Sequence, residues 1–441
     1  MAIDLLALID EQEFGPSQIR LVALCFAIMV TYGYNLLAIG VVAPSLAQAL
    51  HIPKASLGPI FAAEGFGAMI GAALAGPLAD RIGRRRLVIA STVSYGTCAL
   101  LTARATSAGQ LPLLLFAAGL GLGGAYPNAI ALMSELAPRK VRATMIATMQ
   151  TGFPLGAASS GVVSAWLVDK YGWRFVFDVG GLGPILLAPM LLAWLPESIG
   201  WLFSKGARSS TIISALSRVN RQARFPLGTT FFIGEERRAG PPLFHLFRDR
   251  RAVGTTLLWI AFFTNTIAVN FLAVWLPTLI TIAGMTVRVA AWAAVAFHTG
   301  SVVGAVSIGR FADLRGVYRV LPVALAAGAI VAWLTGLAGS SPPRMLALSA
   351  GMGFCIAGGQ FGLGIAAASY YPTHIRATGV SFAFVFAKPG TVASSLLGTV
   401  FLAWRWSLPL IFLADGTFAL CAAAAIFVMC VSQHRATVTA V

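Results

Sequence analysis

Long apolar stretches separated by short polar segments recur along the whole chain. A helix needs roughly 20 mostly apolar residues to cross about 30 Å of hydrocarbon, and these stretches have that length. They lack the short apolar and polar alternation of strands, and a helix satisfies its own backbone hydrogen bonds in lipid. The pattern therefore predicts an all-α membrane protein with twelve transmembrane helices. The predicted spans are 20–48, 56–78, 87–105, 110–137, 142–168, 175–195, 252–282, 287–309, 320–338, 343–370, 377–402 and 407–431.

Composition supports a location in a lipid bilayer. The chain is 58% hydrophobic and 10% charged, and its mean hydropathy is +0.83. A soluble domain cannot bury so much apolar surface, so the excess must face lipid. The N-terminus has early acids and no small-residue cleavage site, so we expect the first span to remain in the membrane as an anchor.

The net charge of +16 would suggest a nucleic-acid partner in a soluble protein. On the predicted spans, however, 23 of the 31 Lys and Arg residues lie on the side that holds both termini. Seven lie on the other side, and Lys388 lies within a span. Cytoplasmic loops carry such an excess of positive charge. We therefore expect cytoplasmic termini, a location in a bacterial inner membrane and no nucleic-acid partner.

Neither the cysteines nor the glycines indicate a bound cofactor. All five cysteines lie in predicted spans, without metal-ligand spacing or a disulfide pattern. The glycine-rich run 119–124 follows no strand, so close helix packing explains it better than a nucleotide site. No nucleophile, base and orienting group recur together. We expect no metal, no cofactor and no enzymatic activity.

Polar motifs in the loops occur twice, 233 or 234 positions apart. The repeated positions are Gly76, Asp80, Gly83 and Arg142, which return as Gly309, Asp313, Gly316 and Arg376. Two independent motifs that share one offset indicate an internal duplication. The chain is therefore predicted to consist of two related six-helix halves, 1–195 and 252–441, joined by a polar cytoplasmic linker, 196–251.

The segment GPLADRIGRRR (76–86) resembles the signature loop of the major facilitator superfamily. Within that superfamily the chain resembles the aromatic acid:proton symporter family over essentially its whole length. The segments that carry this resemblance are GLGLGGAYPNAI (119–130), SELAPRKVRAT (134–144), LPES (195–198), WLPTL (275–279), GGQFGL (358–363) and YPTHIRATG (371–379). The resemblance implies a monomeric secondary transporter that takes up a small organic anion, an aromatic carboxylate, with protons. Its two halves would rock about a central site and expose that site to each side in turn.

The signature loop is expected to act as a gate. Its charged residues lie at the predicted cytoplasmic mouth, where their hydrogen bonds can form in one state and break in the other. The Gly-x-x-x-Asp pattern occurs in both halves, which favours gating over a role in topology alone. The predicted gating residues are Gly76, Asp80, Arg81, Gly83, Arg84, Arg85, Gly309, Asp313, Gly316, Arg142 and Arg376.

Charges inside the spans indicate function, because each is costly in lipid unless it is paired, hydrated or neutralised. Lys388 lies near the middle of the eleventh span, where the family pattern Gly-Arg-Ile-Gly appears as Ala-Lys-Pro-Gly at 387–390. The resemblance assigns this position to substrate binding, and a structural ion pair is the alternative. Glu64 lies on a stripe of small residues in the second span. Because these two spans pack together in the superfamily, Glu64 is a candidate partner of Lys388 in one conformation.

The chain departs from the family at two charged places. The family's Asp-Gly-aromatic-Asp motif appears as Tyr-Gly-Tyr-Asn at 32–35, and an arginine of the fourth span is Leu115. Loss of both an acid and a base costs less than leaving one of them unpaired. Two alternatives therefore stay open, a proton symporter with another carrier and a proton-independent facilitator or anion exchanger. The candidate carriers are Glu64, Asp178 and His298.

Polar and aromatic side chains in the spans complete the predicted site. The predicted substrate-binding residues are Lys388, Gln360, Tyr126, Asn35, Tyr34, Asn270, His298 and Trp275. Among the neutral residues Gln360 is favoured because it falls on the family's Gly-Gly-Gln pattern, whereas each of the others is as often a packing residue. Asp415 in the twelfth span has no predicted role. A drug:proton antiporter of the same fold is a further alternative, but an exporter of cations would more naturally carry a central acid than Lys388.

Overall fold

The computed structural model describes residues 2–4, 8, 15–138, 140–207, 213, 230–232, 246–247, 251–371 and 376–438. Twelve helices in these ranges are long and apolar enough to cross a membrane. We number them α1 to α12; α5 is interrupted at Thr151, and α10 contains a π-helical turn, Gly353–Ala357. In order they are Pro16–Ala49, Leu57–Ile82, Arg84–Ala103, Gln110–Leu136, Arg142–Gln150 with Gly152–Tyr171, Trp173–Trp194, Ala252–Ile282, Val287–Arg315, Val317–Gly336, Pro342–Met352 with Gly358–Tyr370, Arg376–Ala403 and Leu408–Val438.

Four short elements accompany the long helices. A 3₁₀ turn, Lys54–Ser56, leads into α2. A short helix, Ile199–Ser204, follows α6. The strands β1, Ala2–Asp4, and β2, Thr230–Phe232, form a parallel pair. The described part of the chain is otherwise helical outside its turns, as the sequence predicts.

All twelve predicted spans are confirmed as helices, and several of them, including the second and eighth, extend further than hydropathy indicates. The second and eighth spans were predicted to end at 78 and 309, whereas α2 continues to Ile82 and α8 to Arg315. Hydropathy reports where a helix leaves the hydrocarbon, and a helix can continue beyond that boundary. The extra turns carry the charged positions of the repeated motif.

The repeated motif also places a glycine where the backbone turns. Gly83, between α2 and α3, has φ +98°, and Gly316, between α8 and α9, has φ +84°. Side-chain-bearing residues rarely adopt these angles. A single glycine therefore joins two helices at each copy of the motif.

The chain forms two compact units. Unit 1 consists of Met1–Leu36, Phe66–Ala157 and Arg174–Arg238; unit 2 consists of Leu37–Gly65, Ala158–Trp173 and Ala239–Val441. Most of the predicted linker, 196–251, lies outside the described residues.

Small residues bring helices into backbone contact in both units. In unit 1 a Cβ added at Gly67 of α2 would overlap the Phe116 carbonyl of α4. In unit 2 a Cβ added at Gly300 of α8 would overlap the Ala350 carbonyl of α10. The glycine run of α4 belongs to the same packing, since a Cβ added at Gly123 would overlap the Ala68 carbonyl. The expectation of close helix approach is thus confirmed.

Candidate functional site

Carboxylates from two other segments of unit 1 fix the signature loop between α2 and α3. The Arg84 guanidinium forms an ion pair with Glu135 near the end of α4. Glu197, after α6, accepts hydrogen bonds from the backbone N–H groups of Arg85 and Ser198, both at 2.9 Å. Since α3 begins at Arg84, Glu197 lies at a helix N-terminus, where a negative charge is stabilised.

No role was predicted for Glu135 or Glu197, although both lie in segments that carry the family resemblance. The signal that identifies them is a carboxylate in each of two motifs beside a loop that carries four arginines. Their contacts are long-range in sequence, so only the fold brings them to the loop.

The acids of the two repeated loops remain available for other contacts. Asp80 is exposed, and its carboxylate forms no ion pair with any residue that the structure describes. Its backbone carbonyl accepts a hydrogen bond from the Trp201 indole at 3.0 Å. In the second loop Asp313 is likewise exposed. The Arg315 guanidinium there lies 6.0 Å from the centroid of the Phe311 ring.

The remaining predicted gating residues take varied positions. Arg142 donates from Nε to the Ala137 carbonyl at 3.2 Å, which closes the turn between α4 and α5. Arg81 is exposed. Arg376 begins α11, but its side chain lies outside the described residues. Gly76 and Gly309 have room for a side chain, because an added Cβ at Gly76 would contact nothing within 4 Å and at Gly309 only Ile365 Cδ1, at 3.9 Å.

Tyr34 and Asn35 connect α1 to α6 within unit 1. The Tyr34 hydroxyl donates to the Val176 carbonyl at 2.9 Å, and Asn35 Nδ2 donates to the carbonyls of Thr31 and Gly180 at 2.8 Å. Both side chains are buried. Their donors are therefore used inside the helix bundle, and contact with a substrate stays a prediction for this pair.

Aromatic packing occupies the place of the family's first acid. The Tyr32 ring centroid lies 5.2 Å from that of Tyr126 and 5.8 Å from that of Phe153. The Tyr126 hydroxyl donates to Gln150 Oε1 at 3.1 Å. Leu115, where the family has an arginine, is 2% exposed. Unit 1 thus accommodates the joint loss of acid and base with uncharged contacts at both positions.

Asp178 forms an ion pair at the start of α6. Its Oδ1 lies 2.7 Å from Arg104 Nη1, and the two side chains are 25% and 67% exposed. An ion pair this exposed is hydrated and contributes little to stability. Asp178 therefore has an ion-pair partner close to the start of α6. This position suits a hydrated surface acid better than a proton carrier.

Lys388 lies near the middle of α11, on the side of this helix that faces the part of α2 in unit 2. A Cβ added at Gly58 would lie 2.8 Å from the Ser395 carbonyl, and one added at Gly65 would lie 3.7 Å from Thr391 Cγ2. Lys388 is three residues before Thr391, so it continues the same stripe by one helical turn. Its side chain is exposed there.

Glu64 is adjacent to this contact and is 4% exposed. Glu64 and Lys388, both described, form no ion pair within 4.0 Å. From the Gly65 contact, the two residues lie about 7 Å apart along the helix axes at 1.5 Å per residue. The predicted packing of α2 on α11 is confirmed, whereas the pair itself stays a prediction for another conformation.

An amide cluster joins α7 to α10 in unit 2. Asn265 Nδ2 donates to Gln360 Oε1 at 2.7 Å, and Gln360 Nε2 donates to Thr266 Oγ1 at 3.3 Å. Asn265 is fully buried, whereas Gln360 is half-buried. Asn265 was not predicted, although its position between Thr264 and Thr266, in the middle of the seventh span, is a usable signal.

The amide cluster and Lys388 belong to the same unit, and α11 packs closely on α7. A Cβ added at Gly390, two residues after Lys388, would lie 3.1 Å from the Phe263 carbonyl of α7. Asn270, further along α7, is half-buried and donates to the Thr266 carbonyl at 2.9 Å. A cation and half-buried amides therefore occur in unit 2 on helices that pack together. A carboxylate and ring hydroxyls are recognised by groups of this kind.

Trp275 and His298, two further predicted binding residues, are buried in unit 2. The Trp275 indole donates to the Ser395 carbonyl at 3.1 Å, and its ring packs edge-on against Phe61 at 5.1 Å. Trp275 therefore joins α7 to α11 and α2. His298 is 4% exposed, and its Nε2 has no hydrogen-bond partner among the described residues.

Nearly the whole chain is similar to known transporters. Residues 23–291 match the family model described as Major Facilitator Superfamily. The gallate transporter of Pseudomonas putida is 35% identical over 99% of this chain and 97% of its own length. The 4-hydroxybenzoate transporter PcaK of Pseudomonas aeruginosa is 35% identical, with 92% and 91% covered. The 3-(3-hydroxy-phenyl)propionate transporter of Escherichia coli is 33% identical, with 94% of each chain covered.

A solved structure shares the fold at much lower identity. The crystal structure of a D-xylose-proton symporter superposes with a TM-score of 0.72 and covers 93% of this chain and 97% of that chain. The two sequences are 17% identical. At this distance the likeness shows the fold alone, because one fold serves many substrates.

Proposed function

The chain belongs to the major facilitator superfamily, and from this premise we propose that it takes up a small aromatic carboxylate, together with protons, by alternating access. The observation that carries the proposal is the exposed cation of Lys388 in the middle of α11, in the same unit as the half-buried amides of α7 and α10. A cation at this depth is costly in lipid, so its position favours a hydrated path for an anion. The aromatic acids named for the relatives support the class of substrate.

In this proposal the substrate carboxylate pairs with Lys388. The amides of Gln360 and Asn270 bond to polar groups on the ring, which explains how hydroxylated acids would be distinguished from benzoate. A charged hydrogen bond to Lys388 supplies more binding energy than either amide.

The proposed transport cycle uses the two halves, 1–195 and 252–441, as moving bodies joined by the linker 196–251. The carboxylates of Asp80 and Asp313 would gain partners when the cytoplasmic side closes and lose them when it opens. The distribution of positive charge supports cytoplasmic termini. In this proposal the protein is a monomer in a bacterial inner membrane.

Proton coupling in this proposal requires an acid other than those that the family uses. Of the predicted carriers, Asp178 is held in an exposed ion pair, whereas Glu64 and His298 are buried in unit 2. The uncharged residues at positions 32 and 115 are the observation that favours a second candidate, a facilitator or exchanger of the same anions without protons.

Counterflow in proteoliposomes tests the proposed function. Vesicles loaded with unlabelled substrate and given labelled gallate, 4-hydroxybenzoate or benzoate should take up label, whereas a lipophilic cation such as tetraphenylphosphonium should not be exchanged. A gradient with acid outside should drive accumulation of the carboxylate. Cation exchange would indicate an antiporter, counterflow without gradient-driven accumulation would indicate a facilitator, and protein-free vesicles are the control.

A further inference from the structure

Asp415 is a buried acid that the proposed binding site does not use. It lies in α12 and is 1% exposed. Neither of its carboxyl oxygens has a hydrogen-bond partner among the described residues. A buried polar group without a partner is uncommon in proteins and asks for an explanation.

The neighbouring helix α9 offers Asp415 no free donor at this point. α9 packs closely on α12, since a Cβ added at Gly416 would lie 2.5 Å from Trp333 Nε1 and 2.8 Å from the Ala329 carbonyl. The Trp333 indole N–H is already donated to the Leu413 carbonyl at 3.1 Å. The indole that α9 brings to the stretch 413–416 therefore donates to the backbone and not to Asp415.

The helices packed on α12 also supply no counter-ion. α7, the second helix against α12, has no ionisable side chain over Ala252–Ile282. In α9 the ionisable residues are Tyr318 and Arg319, and Arg319 is 14 positions, or about 21 Å, from Trp333. The charged groups nearest the other end are Arg344, at the start of α10, and Arg405, before α12, and both are exposed. An ionised carboxylate here would be unpaired in an apolar interior, which is strongly unfavourable, so the acid is neutral in this arrangement.

A crevice of about 190 Å³ lies at the predicted outer end of unit 2, one helical turn before Asp415 along α12. It is formed by residues of α7, α9, α10 and α12, including Leu279, Thr335, Met345 and Phe412. Phe412 lies three residues before Asp415, about 4.5 Å along the helix axis. The crevice has room for water, and one helical turn separates it from the acid.

We propose that Asp415 is a proton-binding site, loaded through this crevice from outside water, that carries the proton accompanying the substrate. This inference rests on the proposed symport of an aromatic carboxylate. Water that reaches the carboxylate delivers a proton to one oxygen, and the neutral O–H form is then sealed by the packing of α7, α9 and α12. In a second conformation the proton leaves to cytoplasmic water and the carboxylate is regenerated. The chain thereby has an acid in place of those absent at positions 32 and 35.

The test compares Asp415→Asn with wild type, Asp415→Glu and Glu64→Gln in proteoliposomes. Counterflow of 4-hydroxybenzoate at equal pH measures substrate binding and exchange without a net proton movement. Accumulation driven by acid outside, with an internal pH dye, measures coupling. An amide has nearly the shape of the neutral acid, so Asp415→Asn is expected to keep counterflow within about twofold. It should lose gradient-driven accumulation and substrate-dependent proton entry at least tenfold, and Asp415→Glu should recover part of both.

Every other outcome of this comparison contradicts the proposal. If Asp415→Asn accumulates substrate as wild type does, Asp415 carries no proton. If it loses counterflow as well, the acid is structural. If only Glu64→Gln loses coupling, Glu64 is the carrier. A wild-type protein that exchanges carboxylates without proton entry would overturn the inference and leave the transport of aromatic acids standing, whereas absence of any carboxylate counterflow would overturn the proposed function itself.

Discussion

At the scale of single residues, Lys388 and Asp415 show two ways in which an ionisable group is accommodated inside a membrane span. Lys388 is exposed where the stripe of α11 continues beyond its contact with α2. Asp415 is buried without a partner. A charge that reaches water keeps its hydration, whereas a sealed acid avoids charge by holding a proton. The first arrangement suits binding of an anion, and the second suits binding of a proton.

Removal of the Lys388 cation should weaken substrate binding. Lys388→Ala loses a charged hydrogen bond, which contributes about 1.5–3 kcal/mol, so Kd for 4-hydroxybenzoate should rise about 10- to 100-fold. Lys388→Arg keeps the charge and should bind more tightly than Lys388→Ala. Scintillation proximity binding to the purified protein measures both.

A matched control for Lys388 is Arg288→Ala. Arg288 is 63% exposed and lies 3.8 Å from Asp169, so its removal deletes one positive charge where ion pairs contribute little. This variant should bind substrate as wild type does. Equal affinities for Lys388→Ala and wild type would remove Lys388 from the site.

At the scale of elements, the two repeated loops have one backbone geometry and different surroundings. Gly83 and Gly316 both have positive φ. A Cβ added at Gly83 would lie 2.5 Å from a carboxylate oxygen of Glu197, whereas at Gly316 it would contact nothing within 4 Å. Contact with Glu197 therefore restricts the backbone of the first loop, whereas the second loop has open space at its glycine.

Alanine at the two glycines should separate backbone strain from crowding. Gly316→Ala is expected to cost about 1–3 kcal/mol through its backbone angles. Gly83→Ala has the same strain and must also displace Glu197 from the start of α3, so it should lower Tm further. Thermal unfolding in detergent measures Tm for both variants, with the folded fraction monitored by size-exclusion chromatography. Equal losses would show that Glu197 does not fix the loop.

At the scale of the whole molecule, charge distribution sets the orientation that the proposed cycle needs. With 23 of 31 Lys and Arg residues in loops on one side of the predicted spans, a reversed insertion would have to translocate most of them. The loops that carry this excess include both repeated motifs. The proposed gate and both termini are therefore expected to share one side of the membrane.

Reporter fusions test this orientation directly. Green fluorescent protein fused after Val441 should fluoresce in bacterial cells, because it folds in the cytoplasm. Alkaline phosphatase fused after Thr106, between α3 and α4, should be active, because it requires the outer side. The reverse result for either fusion would contradict the assigned topology.

The class of membrane protein, the twelve spans and the internal repeat can all be predicted from the sequence alone. These properties depend on the length of apolar runs and on where charges interrupt them, and both can be read along the chain. The same local reading located Lys388 at mid-span and the glycines that the repeated turns require.

Which polar side chains contact each other depends on the tertiary structure. Tyr34 and Trp275, predicted to bind substrate, direct their donors to backbone carbonyls of other helices. Asn265, which was not predicted, bonds to Gln360, and Asp415 has no hydrogen-bond partner among the described residues. These outcomes depend on how each helix is rotated about its axis and on which neighbour it packs against. Hydropathy fixes the position of a span along the chain but carries little information on that rotation, because nearly every face of such a helix is apolar.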